Sequence, residues 1–274
     1  MEAALLGLFM LSASFFATLL GHPASPVGHL IASPLERRAL MGLAMGTTFL
    51  GLVFSPWGKQ SGAHMNPSVT LTFLRLGKVA PQDALFYVLA QFAGGLIGIA
   101  TVALVAGSLV GNPSIRYLAT VPDKFGSGLA FAAEAVISFG MMLTVLIVSN
   151  SRSIARYTGF FAAALVVAYI TIEAPLSGMS MNPARSFGPA LVARLWDGLW
   201  IYFSAPPLGM LAAAQTYLLV RRGHPVLCAK LHHENHKRCI FRCGYGETST
   251  SFSETSRASS ASQERCRLDR AKVS

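Results

Sequence analysis

Ser177-Gly178-Met179-Ser180-Met181-Asn182-Pro183-Ala184-Arg185-Ser186-Phe187-Gly188-Pro189 is a polar, turn-rich stretch set between strongly apolar segments. A second copy lies upstream, at Ser61-Gly62-Ala63-His64-Met65-Asn66-Pro67-Ser68. Both read Ser-Gly-x-x-Met-Asn-Pro followed by a small residue, and the two asparagines are 116 positions apart. One Asn-Pro dipeptide is an ordinary turn. Two in the same frame, each flanked by apolar runs, make a repeated device. Asn is a favoured helix N-cap, and Pro suits the first helical position, where its missing N–H costs nothing. Each copy therefore predicts a short helix beginning at Pro67 or Pro183. The positive end of its dipole faces the turn, and the amide of Asn66 or Asn182 is left over as a donor.

The rest of the chain is built for lipid. Charged residues are 12% of the 274 and apolar residues 53%, against about 25% charged in soluble domains. Runs long enough to cross a bilayer, about 20 residues each, fall at roughly 3–21, 38–56, 82–108, 127–149, 157–175 and 198–220. The first is not read as a secretory signal, because Glu2 stands where a basic segment belongs and five more spans follow. The expected fold is an all-α membrane protein of six transmembrane helices and two re-entrant half-helices, one domain over 1–220. Residues 221–274 form a basic tail, expected to be disordered, and 248–263 are rich in Ser and Thr.

The formal net charge of +10 is largely that tail's, since it carries eleven of the 22 Lys and Arg and five of the 12 Asp and Glu. A basic segment after the last span places the C-terminus in the cytoplasm, and six spans bring the N-terminus to the same side. The short loops carry similar numbers of Lys and Arg on both sides and do not discriminate. Duplication extends beyond the boxes. Tyr87-x-x-Ala90-x-x-x-Gly94 recurs as Tyr202-x-x-Ala205-x-x-x-Gly209, giving half repeats of about 1–110 and 127–220. Each half holds three spans, an odd number, so the copies sit inverted and bring their half-helices together from opposite faces.

These paired Asn-Pro boxes, the second followed by Arg185-Ser186-Phe187-Gly188-Pro189, resemble those of the aquaporin and glycerol-facilitator channels, the major intrinsic proteins. The resemblance covers about residues 1–220, with Ser68 where the family usually has Ala. It implies a passive channel for water and small uncharged solutes that excludes protons and ions, is no enzyme and uses no cofactor. It further implies a homotetramer in a cell membrane and no role for nucleic acid. The pore boxes would be Asn66, Pro67, Ser68 and Asn182, Pro183, Ala184, and the selectivity filter Met45, Ile170, Met179 and Arg185. In the family a glutamate early in each half braces the re-entrant loop. Glu134 matches that place, Glu2 is left open, and His64 would orient the first loop, with a pH-sensitive gate as its alternative. An aliphatic filter suggests passage of glycerol, urea, ammonia, or undissociated boric or arsenous acid. Ser186, Ala190, Tyr202 and Phe203 look more like a water channel. The mixture resembles nodulin-like plant members and their bacterial relatives.

Other function classes find less support. A strict water channel is the nearest alternative. A coupled transporter shares inverted repeats but needs titratable groups at the midplane, where Glu134 alone is available. A membrane enzyme would need an organised nucleophile, and no Gly-x-Ser-x-Gly turn accompanies His64, Ser68 or Ser180. All four cysteines lie in the tail, where His232, His236, Cys239 and Cys243 carry metal-capable atoms at short spacing. They match no named zinc pattern, and the competing reading is a basic tail near anionic lipid.

Overall fold

In the computed structural model the described residues are 1–122, 125–151, 153–221 and 225–245. The Ser/Thr-rich stretch 248–263 lies outside them. The chain divides into two units, Met1–Arg242 and Cys243–Ser274. In the first, eleven α-helices occur among the described residues: α1 (Glu2–Gly21), α2 (Pro26–Leu30), α3 (Pro34–Phe54), α4 (Pro56–Ser61), α5 (Pro67–Arg75), α6 (Pro81–Val110), α7 (Ser127–Ser149), α8 (Thr158–Ile172), α9 (Ala174–Ser177), α10 (Pro183–Ala193) and α11 (Leu199–Val220).

The long helices α1, α3, α6, α7, α8 and α11 are the six spans, and α5 and α10 are the two half-helices. At 1.5 Å per residue, a helix of 20 residues covers about 30 Å, the thickness of the hydrocarbon core. α1, α6, α7 and the segment Ala155–Ile172 are apolar enough to cross by length and composition alone. α3 starts earlier than its hydropathy indicates. Ser33 caps it, accepting from the amide of Glu36, and Pro34 opens the first turn, so Glu36, Arg37 and Arg38 are helical. α6 is the longest and bends at Ala106, whose φ of −136° and ψ of 34° leave the helical region.

The packing shows the duplication. α1 lies along α6 as α7 lies along α11, while α3 meets α8 across the two halves. Each half-helix reaches the other half, α5 against α11 and α10 against α6. This is the inverted repeat. The crossing within each half turns on one glycine. A Cβ on Gly94 would sit 2.2 Å from the carbonyl oxygen of Ala3, and one on Gly209 2.3 Å from that of Ala135. Ala3 and Ala135 each follow one of the glutamates Glu2 and Glu134, so these contacts set the height of both carboxylates. Gly94→Ala is expected to destabilise the protein by about 1–3 kcal/mol, read as a lower thermal unfolding midpoint in detergent. Gly107→Ala is the control, because a Cβ there meets nothing within 4 Å.

Phe86, Ile97, Leu104 and Val136 are exposed on the spans. A soluble protein could not carry apolar faces of this extent without a partner; lipid covers them. The expectation of disorder from residue 221 onward does not hold for the start of the tail. Residues 225–242 have no helix or strand, yet Val226, Leu227, Cys228, Ala229, Lys230 and Leu231 are buried. The segment folds against the first box instead of leaving the protein.

Candidate functional site

Both boxes adopt the same strained turn. Gly62 and Gly178 have φ of 88° and 82°, and the next residues, Ala63 and Met179, stay left-handed at 57° and 49°. Met65 (49°) and Met181 (53°) repeat this just before each asparagine. Non-glycine residues in this region persist only when their surroundings hold them. Here the holding groups are two buried carboxylates. Glu2 accepts from Ser61 Oγ (2.6 Å), Met65 N (2.6 Å) and Gln91 Nε2 (2.8 Å). Glu134 accepts from Ser177 Oγ, Ser180 N and Met181 N, each at 2.7 Å. Tyr87 Oη donates to Ser61 O, and Tyr202 Oη donates to Ser177 O. Glu2 thus has the place in the first half that Glu134 has in the second. Its position at the start of α1 left this open in the sequence.

The asparagines cap their helices and then reach across. Asn66 Oδ1 accepts from Ser68 N (2.8 Å), and Asn182 Oδ1 from Ala184 N (3.0 Å) and Arg185 N (3.2 Å). Asn66 Nδ2 donates to Met181 O and Asn182 Nδ2 to Met65 O, both at 2.7 Å. The carbonyls that receive these bonds belong to the left-handed methionines, so the strained turns lock one box to the other. An amide nitrogen carries two hydrogens. One N–H of each asparagine remains for something else.

That something enters a cavity of about 260 Å³. Asn66, Asn182, Met45, Ile170, Met179 and Arg185 all line it. Arg185 Nη1 donates to Leu118 O (2.9 Å), which fixes the guanidinium and leaves its other donors unassigned. Pro67, Ser68, Pro183 and Ala184 are buried behind the asparagines as the first turns of α5 and α10. Ser68 Oγ finds no partner among the described residues. Ser186, by contrast, is tied to Ser180 Oγ (2.6 Å) and Thr120 Oγ1 (2.7 Å).

Two lining residues, and one carboxylate beside the second box, were not legible as such. Arg38 lines the cavity from the first turns of α3 and donates from Nε to Thr171 O (3.0 Å). In the sequence it reads as a loop charge beside Arg37, but Arg38, Met41, Met45 and Phe49 share one face of α3, a helical spacing. Leu231 lines the cavity from the tail, near His64. Glu173 is buried against the second box, with Oε1 2.6 Å from Ser177 Oγ and Oε2 without a partner among the described residues.

His64 joins the first box to the tail. Its Nε2 lies 2.9 Å from Ala229 O, which can only accept, so Nε2 carries hydrogen; Nδ1 lies 3.1 Å from Thr70 Oγ1. Phe241 stacks on the same ring at 5.4 Å and 7°. Of the metal-capable residues read from the sequence, Cys239 stands beside Cys228 and His233, with ligand atoms within 4.8 Å of one another. His232 is outside that group and packs on Phe54 at 4.6 Å; His236 is also outside it.

Two inverted half-helices, capped by asparagines that share one cavity inside six spans, define a membrane protein of the aquaporin type. The chain belongs to the major intrinsic protein family, whose model matches residues 9–217. It is 37% identical over 165 residues to a probable aquaporin of NIP type from Nicotiana alata, covering 60% of this chain and 59% of that protein. It is 32% identical over 183 residues to nodulin-26 of Glycine max, covering 66% and 65%. The chain thus spans less than two thirds of these relatives' length. The X-ray structure of the aquaglyceroporin from Plasmodium falciparum has the same fold, with a TM-score of 0.65 at 20% identity, covering 80% of this chain and 95% of that one.

Proposed function

We propose that this protein is a passive channel for water and small uncharged solutes that excludes protons and ions. The observation that carries this reading is the uncommitted N–H on Asn66 and on Asn182, both lining one cavity. A water at that point accepts from both amides, which turns its own hydrogens outward along the pore. A continuous donor–acceptor wire is thereby interrupted. The N-termini of α5 and α10 add positive potential at the same place, which opposes protons and cations. As a member of the major intrinsic protein family, the protein is read as a conduit and not an enzyme.

Arg185 supplies donors at the filter, while Met45, Ile170 and Met179 make the rest of the rim apolar. Such a rim tolerates the carbon face of a polyol while the guanidinium binds its hydroxyls. This favours glycerol, urea or undissociated metalloid acids beside water. The test is re-swelling of proteoliposomes in a glycerol gradient, with Ile170→His as the comparison. A ring donor at that place narrows and wets the rim. Glycerol flux should then fall by about tenfold, equivalent to 1.4 kcal/mol, while water flux is kept. Equal glycerol flux in both would remove Ile170 from the filter.

The same reading extends to assembly and orientation. The protein is a homotetramer with one pore per subunit, and both termini face the cytoplasm. The exposed apolar faces of the spans and the basic tail support this. Native mass spectrometry of the solubilised protein, and labelling of tail cysteines in sealed vesicles, test the two points.

A further inference from the structure

We propose that Cys228, His233 and Cys239 bind a zinc-class divalent ion, and that this clasp holds the tail as a cap on the inner end of the cavity. The capping half of the proposal rests on the channel reading above; the metal site does not.

Cys228, His233 and Cys239 form a compact cluster. Its ligand atoms lie within 4.8 Å of one another. Cys228 Sγ and Cys239 Sγ are 3.5 Å apart. That is far outside a disulfide bond of about 2.05 Å. It is close to the separation of about 3.8 Å that two sulfurs take on a tetrahedral ion with bonds of about 2.3 Å. Two soft thiolates and one imidazole select zinc over hard cations such as calcium or magnesium. Their two negative charges neutralise the ion in a basic segment that also holds the buried Lys230. Three protein ligands leave the fourth tetrahedral position open to water.

Between Cys228 and Cys239 the chain has no helix or strand, and a short irregular loop needs some constraint to offset the entropy lost in ordering it. This loop is bound to the pore. Ala229 O accepts from His64, Leu231 N donates to Gly62 O (3.2 Å), and Leu231 lines the cavity. Lys230 Nζ closes the loop on itself through Lys237 O and Arg238 O, both at 3.3 Å. Beyond Cys239, Phe241 covers the His64 ring and Arg242 N donates to Lys78 O (3.1 Å). An ion on the three ligands ties together both ends of the loop that carries Leu231, and its loss frees them.

The experiment uses the full chain under reducing conditions, solubilised and dialysed against zinc, then cobalt. Bound metal is counted by mass spectrometry, and tetrahedral thiolate coordination is read from the cobalt spectrum. About one equivalent per chain is expected, lost in Cys228→Ser, Cys239→Ser and His233→Ala. In parallel, osmotic shrinkage of proteoliposomes is compared with zinc bound and after stripping by a chelator. Stripping is expected to raise water permeability at least about tenfold, and zinc-loaded Cys239→Ser should match the stripped wild type. The chelator arm needs no variant, so a misfolded mutant does not mask the result. No stoichiometric metal, or metal kept by all three ligand variants, overturns the site. Recovery of a Cys228–Cys239 disulfide overturns it too. Metal bound as expected, with water permeability above empty liposomes and equal with and without zinc, overturns the cap alone. Metal bound with no permeability in any state overturns the channel reading and leaves the site standing.

Discussion

Glu134→Ala is expected to abolish a stable, conducting protein. The carboxylate accepts from Ser177 Oγ, Ser180 N and Met181 N, and all three residues are buried. Stranding a buried donor costs about 1–3 kcal/mol, so losing three removes much of the 5–15 kcal/mol that holds a typical protein folded. The left-handed turn at Met179 and Met181 then has no clamp, and Asn182 loses its position. Glu134→Gln is expected to be nearly as severe, because an amide directs donors of its own at the donors it should receive. Glu173→Gln is the internal control. Glu173 touches the same Ser177 hydroxyl by one oxygen only, and that hydroxyl has a single hydrogen to give. An amide nitrogen donating to Ser177 Oγ relieves the competition. Size-exclusion profiles and thermal unfolding in detergent should therefore place Glu173→Gln near wild type and both Glu134 variants far below it. Similar behaviour of all three would mean that the second box is not braced by Glu134.

Asn182→Asp is the second large effect. The substitution keeps the cap, since one carboxylate oxygen still accepts from Ala184 N and Arg185 N. It replaces the donor to Met65 O with an oxygen, so two acceptors face each other across 2.7 Å. It also sets a negative charge where both half-helix dipoles are positive, and removes the uncommitted N–H. Water permeability is expected to fall at least about tenfold, with a cation leak greater than the parent's. Asn66→Asp should behave alike, because its amide makes the matching bond to Met181 O. A protein that conducts water normally after either change would place the pore elsewhere.

Much of this fold was legible because lipid imposes strong rules on sequence. A span must be long and apolar, so α7 could be placed at its observed bounds, Ser127–Ser149. The duplicated boxes exposed the inverted repeat and named Asn66, Asn182 and Arg185, which the structure places on one cavity with Met45, Ile170 and Met179. Residues hidden from the sequence were those whose role depends on packing. Arg38 sits in a helix that a Ser-Pro cap starts within a charged stretch. Glu2 opens its helix, whereas Glu134 lies well inside α7; the shared role emerges only from the hydrogen bonds. The tail was the least legible part. Residues 225–242 have no periodicity, so nothing in their pattern shows that Ala229, Leu231 and Phe241 gather around His64. Cys228 and His233 are separated from Cys239 by a loop whose closure no spacing rule describes.

Osmotic shrinkage of proteoliposomes in an impermeant osmolyte, with a proton-sensitive dye inside and zinc removed, separates a water channel from a closed or proton-conducting protein. A water channel interrupted at Asn66 and Asn182 shrinks its vesicles far faster than empty liposomes do, with a rate that does not saturate, and leaves the internal pH unchanged under a proton gradient. Shrinkage no faster than that of empty liposomes, or acidification that tracks the flux, would contradict it.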